Sequence, residues 1–162
     1  MKSSVMFALD ESPCSMGALN WLFTSLLKDK DHLSVVACVD KDEEVDKMMH
    51  HCKTLVRAVW DAHAVDVDMS VQILLGKPGK AICEAVDSQK PDLLVLGSAG
   101  KNNIKGLLVG SVSSYCVANA NTAVIVCRVP VKDDDGKVLA PQNLKKEWRG
   151  FVDHVGGETS EY

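Results

Sequence analysis

The sequence has no strong charge bias. Its 18 Lys and Arg against 22 Asp and Glu leave a formal net charge of −4, which argues against the basic face that nucleic acid recognition requires. Long hydrophobic runs are also missing. No apolar stretch approaches the roughly 20 residues that a membrane-spanning helix needs, so no membrane partner is expected. The opening stretch "MKSSVMFALDES" has one lysine and a brief apolar piece before acidic residues. It reads as a buried strand rather than a secretory leader, and a cytoplasmic protein is expected. None of the six cysteines forms a close CxxC pair. Without a secretion signal, their even number does not imply a disulfide framework. Repeats and low-complexity tracts are absent. What remains is 162 residues, 46% hydrophobic and 25% charged, the profile of one ordinary globular domain with a sizeable core.

Short apolar runs alternate with helical periodicities. Val5 to Leu9 reads as a strand, and Ser12-Pro13 after it suits a helix start, with serine capping and proline at the first helical position. Leu19, Leu22, Phe23, Leu26 and Leu27 recur at helical spacing. Leu33 to Val39 reads as a second buried strand, and Val45, Met48, Met49, Cys52, Leu55, Val56 and Val59 mark a second helix whose methionines are expected in the core. The "HHC" of His50 to Cys52 does not suggest a metal site, because consecutive helical residues point in different directions. Val67, Met69, Val71 and Ile73 alternate with polar residues, as in a half-buried strand at a sheet edge. "GKPG" is a turn opening a third helix at Pro78. Asp92 to Gly97 and Thr122 to Val129 complete five strands. This alternation predicts an α/β fold with an open parallel sheet covered on both faces.

Between the fourth strand and the last helix lies "GSAGKNNIKGLLVGS", four glycines with Lys101 and Lys105 among them. In a parallel sheet, ligands sit beyond the carboxyl ends of the strands where the winding reverses. A helix opening at Gly110-Ser111 would offer free N–H groups and a positive dipole end to an anion. Glycines would let a phosphate approach them. The physical reading is a phosphate-bearing ligand. The plainer alternative is a loop with one close helix–sheet contact. Neither the Walker pattern nor GxGxxG is present.

Gly97-x2-Gly100-x9-Gly110-Ser111 resembles the G-x2-G-x9-G-[ST] signature of the universal stress protein family. "GSVSSYCVANANTAVIV" is similar to that family's final helix and strand, and "VMFALDES" to its first strand and acidic turn. The resemblance runs from about Ser4 to Val129. It implies a Rossmann-like sheet in the order 3-2-1-4-5, which agrees with the third strand as an edge, and it implies ATP as ligand. Gly97, Gly100, Gly110, Ser111 and Val112 would wrap ribose and phosphates, with Ser113 assisting. Asp10 would face the nucleoside or a phosphate-bound Mg²⁺, the plainer alternative being that it only caps the first helix region. Backbone around Val39 would meet adenine, unless Val39 is plain core, and Ala8 and Leu9 would line the pocket. Lys101 stands where many members carry arginine, and Ala123 where many carry proline.

A nucleotide-binding stress or signalling module is expected, with little or no turnover, since no general base can be assigned. A slow ATPase or phosphotransferase, and a scaffold with a vestigial pocket, are the alternatives. No residue is assigned a catalytic role. An apolar, uncharged fifth strand at the sheet edge points to a homodimer, as does the resemblance. Residues 1–130 would form the nucleotide-binding domain and 131–162 a charged extension. In that extension Leu144, Trp148, Phe151, Val152 and Val155 fall on one helical face, ended by Gly156-Gly157.

Overall fold

A computed structural model describes residues 2–10, 12–98 and 110–128. Its five strands are β1 (Ser4–Ala8), β2 (His32–Val39), β3 (Asp68–Leu75), β4 (Leu93–Gly97) and β5 (Ala123–Cys127). Its four α-helices are α1 (Pro13–Trp21), α2 (Val45–Asp61), α3 (Pro78–Gln89) and α4 (Ser111–Asn119). The strands form one parallel sheet in the order β3-β2-β1-β4-β5, the order that the resemblance implied. The glycine loop beyond Ser98, including Gly100, Lys101 and Lys105, lies outside the described residues. So does everything after Arg128, and with it the extension and its amphipathic pattern. No described helix is long and apolar enough to cross a membrane.

Side-chain alternation along the buried strands builds a core on each face of the sheet. Val5 and Phe7 of β1 point to the α1 and α2 side, where they join Leu19, Leu22, Val35, Val56 and Val95. Met6 points the other way, toward Val36, Ile82, Val86, Leu94 and Cys116 under α3 and α4. Phe7 pairs with Val35 on β2 and with Val95 on β4, an apolar row on the α1 and α2 side, while Met6 on the other side pairs with Ser34 and Leu94. Fully burying side chains of this kind contributes about 1.5–3 kcal/mol each. β3 alternates between exposed and half-buried residues until Leu74, as the edge position demands.

Two local features differ from the expected elements. The first helix does not run on regularly to Leu27. It ends at Trp21 and widens into a π-helical turn over Leu22–Leu26, closed by the Leu27 N–H donating to the Leu22 carbonyl at 2.9 Å. The Thr24 hydroxyl donates back to the Asn20 carbonyl at 2.8 Å, a bond that competes with the regular ladder. The extra residue per turn lets Leu22, Phe23 and Leu27 all be buried. Within Leu33 to Val39, which reads as a buried strand, Cys38 is half-exposed near the carboxyl end of β2. Cys127, at the end of β5, is buried.

Candidate functional site

β1 and β4 are neighbours, but the chain leaves them in opposite directions, toward β2 and toward β5. Their carboxyl ends therefore part into a crevice, the position at which ligands collect in open α/β sheets. Its volume is about 320 Å³, within the range of small-molecule sites.

β1 runs into the crevice with Ala8, Leu9 and Asp10. Asp10 is exposed. Its Oδ1 accepts the Ser12 N–H at 2.9 Å, while its own N–H donates to Ser15 Oγ at 3.0 Å. It is not the cap of α1. That cap is Ser12, whose Oγ accepts the Ser15 N–H at 3.1 Å. Asp10 instead braces the turn and lines the crevice.

β4 ends at Gly97, which also lines the crevice. A Cβ here would stand 2.9 Å from the Ser15 nitrogen, 3.0 Å from Ser15 Cα and 3.1 Å from the Cys14 carbonyl carbon. All three are backbone atoms, so this glycine lets the first turn of α1 lie directly on the strand end. The alternative of a close helix–sheet contact holds for Gly97, alongside its place in the crevice wall.

Across the crevice, α4 begins at Ser111 with Gly110 as its N-cap, in extended backbone. The Gly110 N–H donates to the Ser98 carbonyl at 2.7 Å and its carbonyl accepts the Ser114 N–H at 2.9 Å. Among the described residues no side chain caps this helix, whose first-turn N–H groups have no intrahelical acceptor. Gly110, Ser111, Val112 and Ser113 all line the crevice. Ser113 is buried and its Oγ donates to the Gly97 carbonyl at 2.8 Å, tying α4 to β4.

Val39 is not among the lining residues. It is buried, and its carbonyl accepts the Gly76 N–H at 2.9 Å. The wall at this strand is made one and two residues earlier, by Cys38 and Ala37, with Val36 below. The far wall was not anticipated. It comes from α2, which contributes Met48, His51, Cys52 and Leu55. These positions follow the i, i+3, i+4, i+7 rule of one helical face, and that spacing is the signal that could have revealed them. Pro78 and Ile82 of α3 and Leu96 of β4 complete the apolar lining.

Burial pushes the Cys38 thiol up to about 11, with Asp40 adding to the effect, and Cys116 behind the wall is pushed up to about 12, also chiefly by burial. Cys14, in the first turn of α1, is raised by burial and then by Asp10, against an opposing hydrogen bond from Ser98. Among the described residues no three metal-ligating side chains converge, and Asp10 is the one carboxylate lining the crevice. A single carboxylate suits a Mg²⁺ held mainly by phosphate and water. It does not suit a resident metal.

A family profile described as "Universal stress protein family" matches residues 1–128. A universal stress protein A family protein of Schizosaccharomyces pombe is 31% identical over 134 residues, covering 74% of this chain and 43% of that protein. The chain spans less than half the length of this and another matched Schizosaccharomyces pombe protein. Among solved structures, a universal stress protein family protein of Arabidopsis thaliana with AMP bound superposes with a TM-score of 0.60 at 20% identity, over 86% of this chain and 99% of that one. The universal stress protein of Archaeoglobus fulgidus in complex with dAMP gives 0.53 at 16% identity, over 78% and 98%. At these identities the likeness carries the fold.

Proposed function

The chain belongs to the universal stress protein family, and from that membership we propose that it is a nucleotide-binding module that takes ATP in the crevice between β1 and β4. The observation that carries this reading is the uncapped amino terminus of α4. Its first residues, Ser111, Val112 and Ser113, line the head of a mostly apolar crevice, and a phosphate is the ligand group that the N–H groups of such a helix start suit. Met48, Ala37 and Leu55 at the other side offer the apolar surroundings that a purine ring needs. The relatives solved with AMP and dAMP support an adenine nucleotide.

Asp10 would repel phosphates directly, so Mg²⁺ bridges the two charges. The sequence of the glycine loop between β4 and α4 carries Lys101 and Lys105. The Ser113 hydroxyl is committed to the Gly97 carbonyl. Its part is to hold the cradle together, while Ser111, whose side chain is exposed, is free to bond the ligand. Efficient phosphoryl transfer needs an oriented nucleophile and base beside the metal. The described lining offers only Asp10 and His51 for that role, and the module therefore acts by binding. Two chains pair through the edge strand β5, whose "AVIVC" has no charge or proline to blunt it.

Native mass spectrometry of the purified protein, followed by calorimetry with ATP, AMP and GTP in the presence of Mg²⁺, tests the reading. A co-purifying adenine nucleotide and preference for ATP are expected. No binding of any of the three at millimolar concentration overturns it. The competing slow ATPase, for which Asp10 is the available carboxylate, predicts turnover that disappears in Asp10→Asn.

A further inference from the structure

The face of the sheet that carries α1 and α2 is unevenly covered. On it, α2 lies against β2 and β3, and α1 lies against β4. β5 receives α4 on the opposite face. Alternation sends Ile125 and Cys127 of β5 toward the α1 side and Val124 toward the α4 side. Ala123 shares the α1 side with Ile125 by the two-residue period of a strand. It is exposed, Ile125 is only half-buried, and so is Leu93, which pairs with Ala123 from β4. Trp21 on α1 is half-buried against the same core. Leu93, Ala123 and Ile125 make a short apolar strip on this face, about 7 Å along β5 from Ala123 to Ile125.

The continuation of the chain points to what covers this strip. Each of the first four strands is followed by a helix that packs on the sheet, and β5 hands the chain on at Arg128 from its carboxyl end. Within residues 129–162, Leu144, Trp148, Phe151, Val152 and Val155 stand at i, i+4, i+7, i+8 and i+11. Helical residues 144–155 would measure about 18 Å, long enough to cover the strip, and such a segment is too short to be stable as a helix in water by itself. We propose that residues 144–155 form a helix that docks on the β4–β5 strip beside α1, as the third helix of that face. A helix on the face leaves the backbone edge of β5 free to pair with another strand.

The full-length protein is the material for the test. Hydrogen exchange is expected to be slowed at least about tenfold across 146–155 relative to an unfolded chain, as docking requires. A photoreactive benzoylphenylalanine in place of Trp148 is expected to cross-link within one chain to peptides holding Trp21, Leu93 or Ala123 to Cys127. Ala123→Arg, at an exposed position, is expected to return 146–155 to unprotected exchange while β1 and β2 stay protected. Trp148→Ser is expected to do the same without touching the sheet. Unprotected exchange in the unmodified protein overturns the proposal. So do cross-links joining isotopically distinct chains, which would make the occupant a second copy, and cross-links to the crevice rim or to α2.

Discussion

Two helix amino termini face the same crevice, and they are built in opposite ways. The first turn of α1 is closed by its own sequence. Ser12 caps the Ser15 N–H, Pro13 has no N–H to satisfy, and Asp10 takes the Ser12 N–H. The first turn of α4 starts from a glycine with no side-chain cap. One end has used its polar capacity internally and serves to hold the turn after β1. Among the described residues, the other has no side-chain acceptor for its first-turn donors. Position at a strand's carboxyl end is therefore not enough to make an anion site, since the capping residues decide whether any donor is left. Even the thiol of the closed end is quiet. Burial and the Asp10 charge raise Cys14, against the lowering that a helix amino terminus would otherwise give.

The contrast can be broken most severely at Gly97, where the two ends meet. Gly97→Ala would press a methyl group onto the backbone of Ser15 and Cys14, and overpacking of this kind costs about 1–3 kcal/mol. Urea unfolding should show a lowered midpoint; an unchanged midpoint would mean that α1 yields freely and that Gly97 answers to the ligand alone. Ser12→Ala should lower stability by about 1 kcal/mol through the lost cap and leave ATP affinity within about twofold. Ser111→Ala should do the reverse, with no measurable change in stability and an affinity loss of about 1 kcal/mol, one hydrogen bond, read by calorimetry. If both serines changed the same quantity, the two ends would not differ in the way described. Gly110→Ser would install a cap on α4. It should raise stability by only a few tenths of a kcal/mol while weakening ATP binding, because the new hydroxyl competes for a donor that the phosphate needs. The smallest expected effect is on Cys14, which at pH 7 should alkylate more slowly than free cysteine, its raised pKa keeping it a neutral thiol until the pH climbs well above neutral. Faster reaction would show that the α1 dipole outweighs burial.

Much of this was legible before any coordinates. Ser12-Pro13 marked the start of α1, Pro78 that of α3 and Gly110-Ser111 that of α4, because caps and prolines act within a few residues of themselves. β3 declared itself an edge through its alternation, since one of its faces is wet. The crevice walls were harder. His51 sits in a stripe with Met48, Cys52 and Leu55 that reads equally well as core. It lines the crevice because this stripe meets the carboxyl ends of the strands as well as the core. Val39 reads either as backbone meeting the ligand or as plain core; it is buried and its carbonyl accepts the Gly76 N–H, a bond between residues far apart in sequence.

The sequence by itself determined the alternation of strands and helices, the family, and the places where helices begin, all of which rest on short-range periodicity, capping and spacing. Tertiary structure alone decided which residues share the crevice and which glycine serves packing. Those outcomes depend on distances between elements, such as the 2.9 Å between an imagined Gly97 side chain and the Ser15 backbone, and such distances exist only once the sheet has brought the elements together.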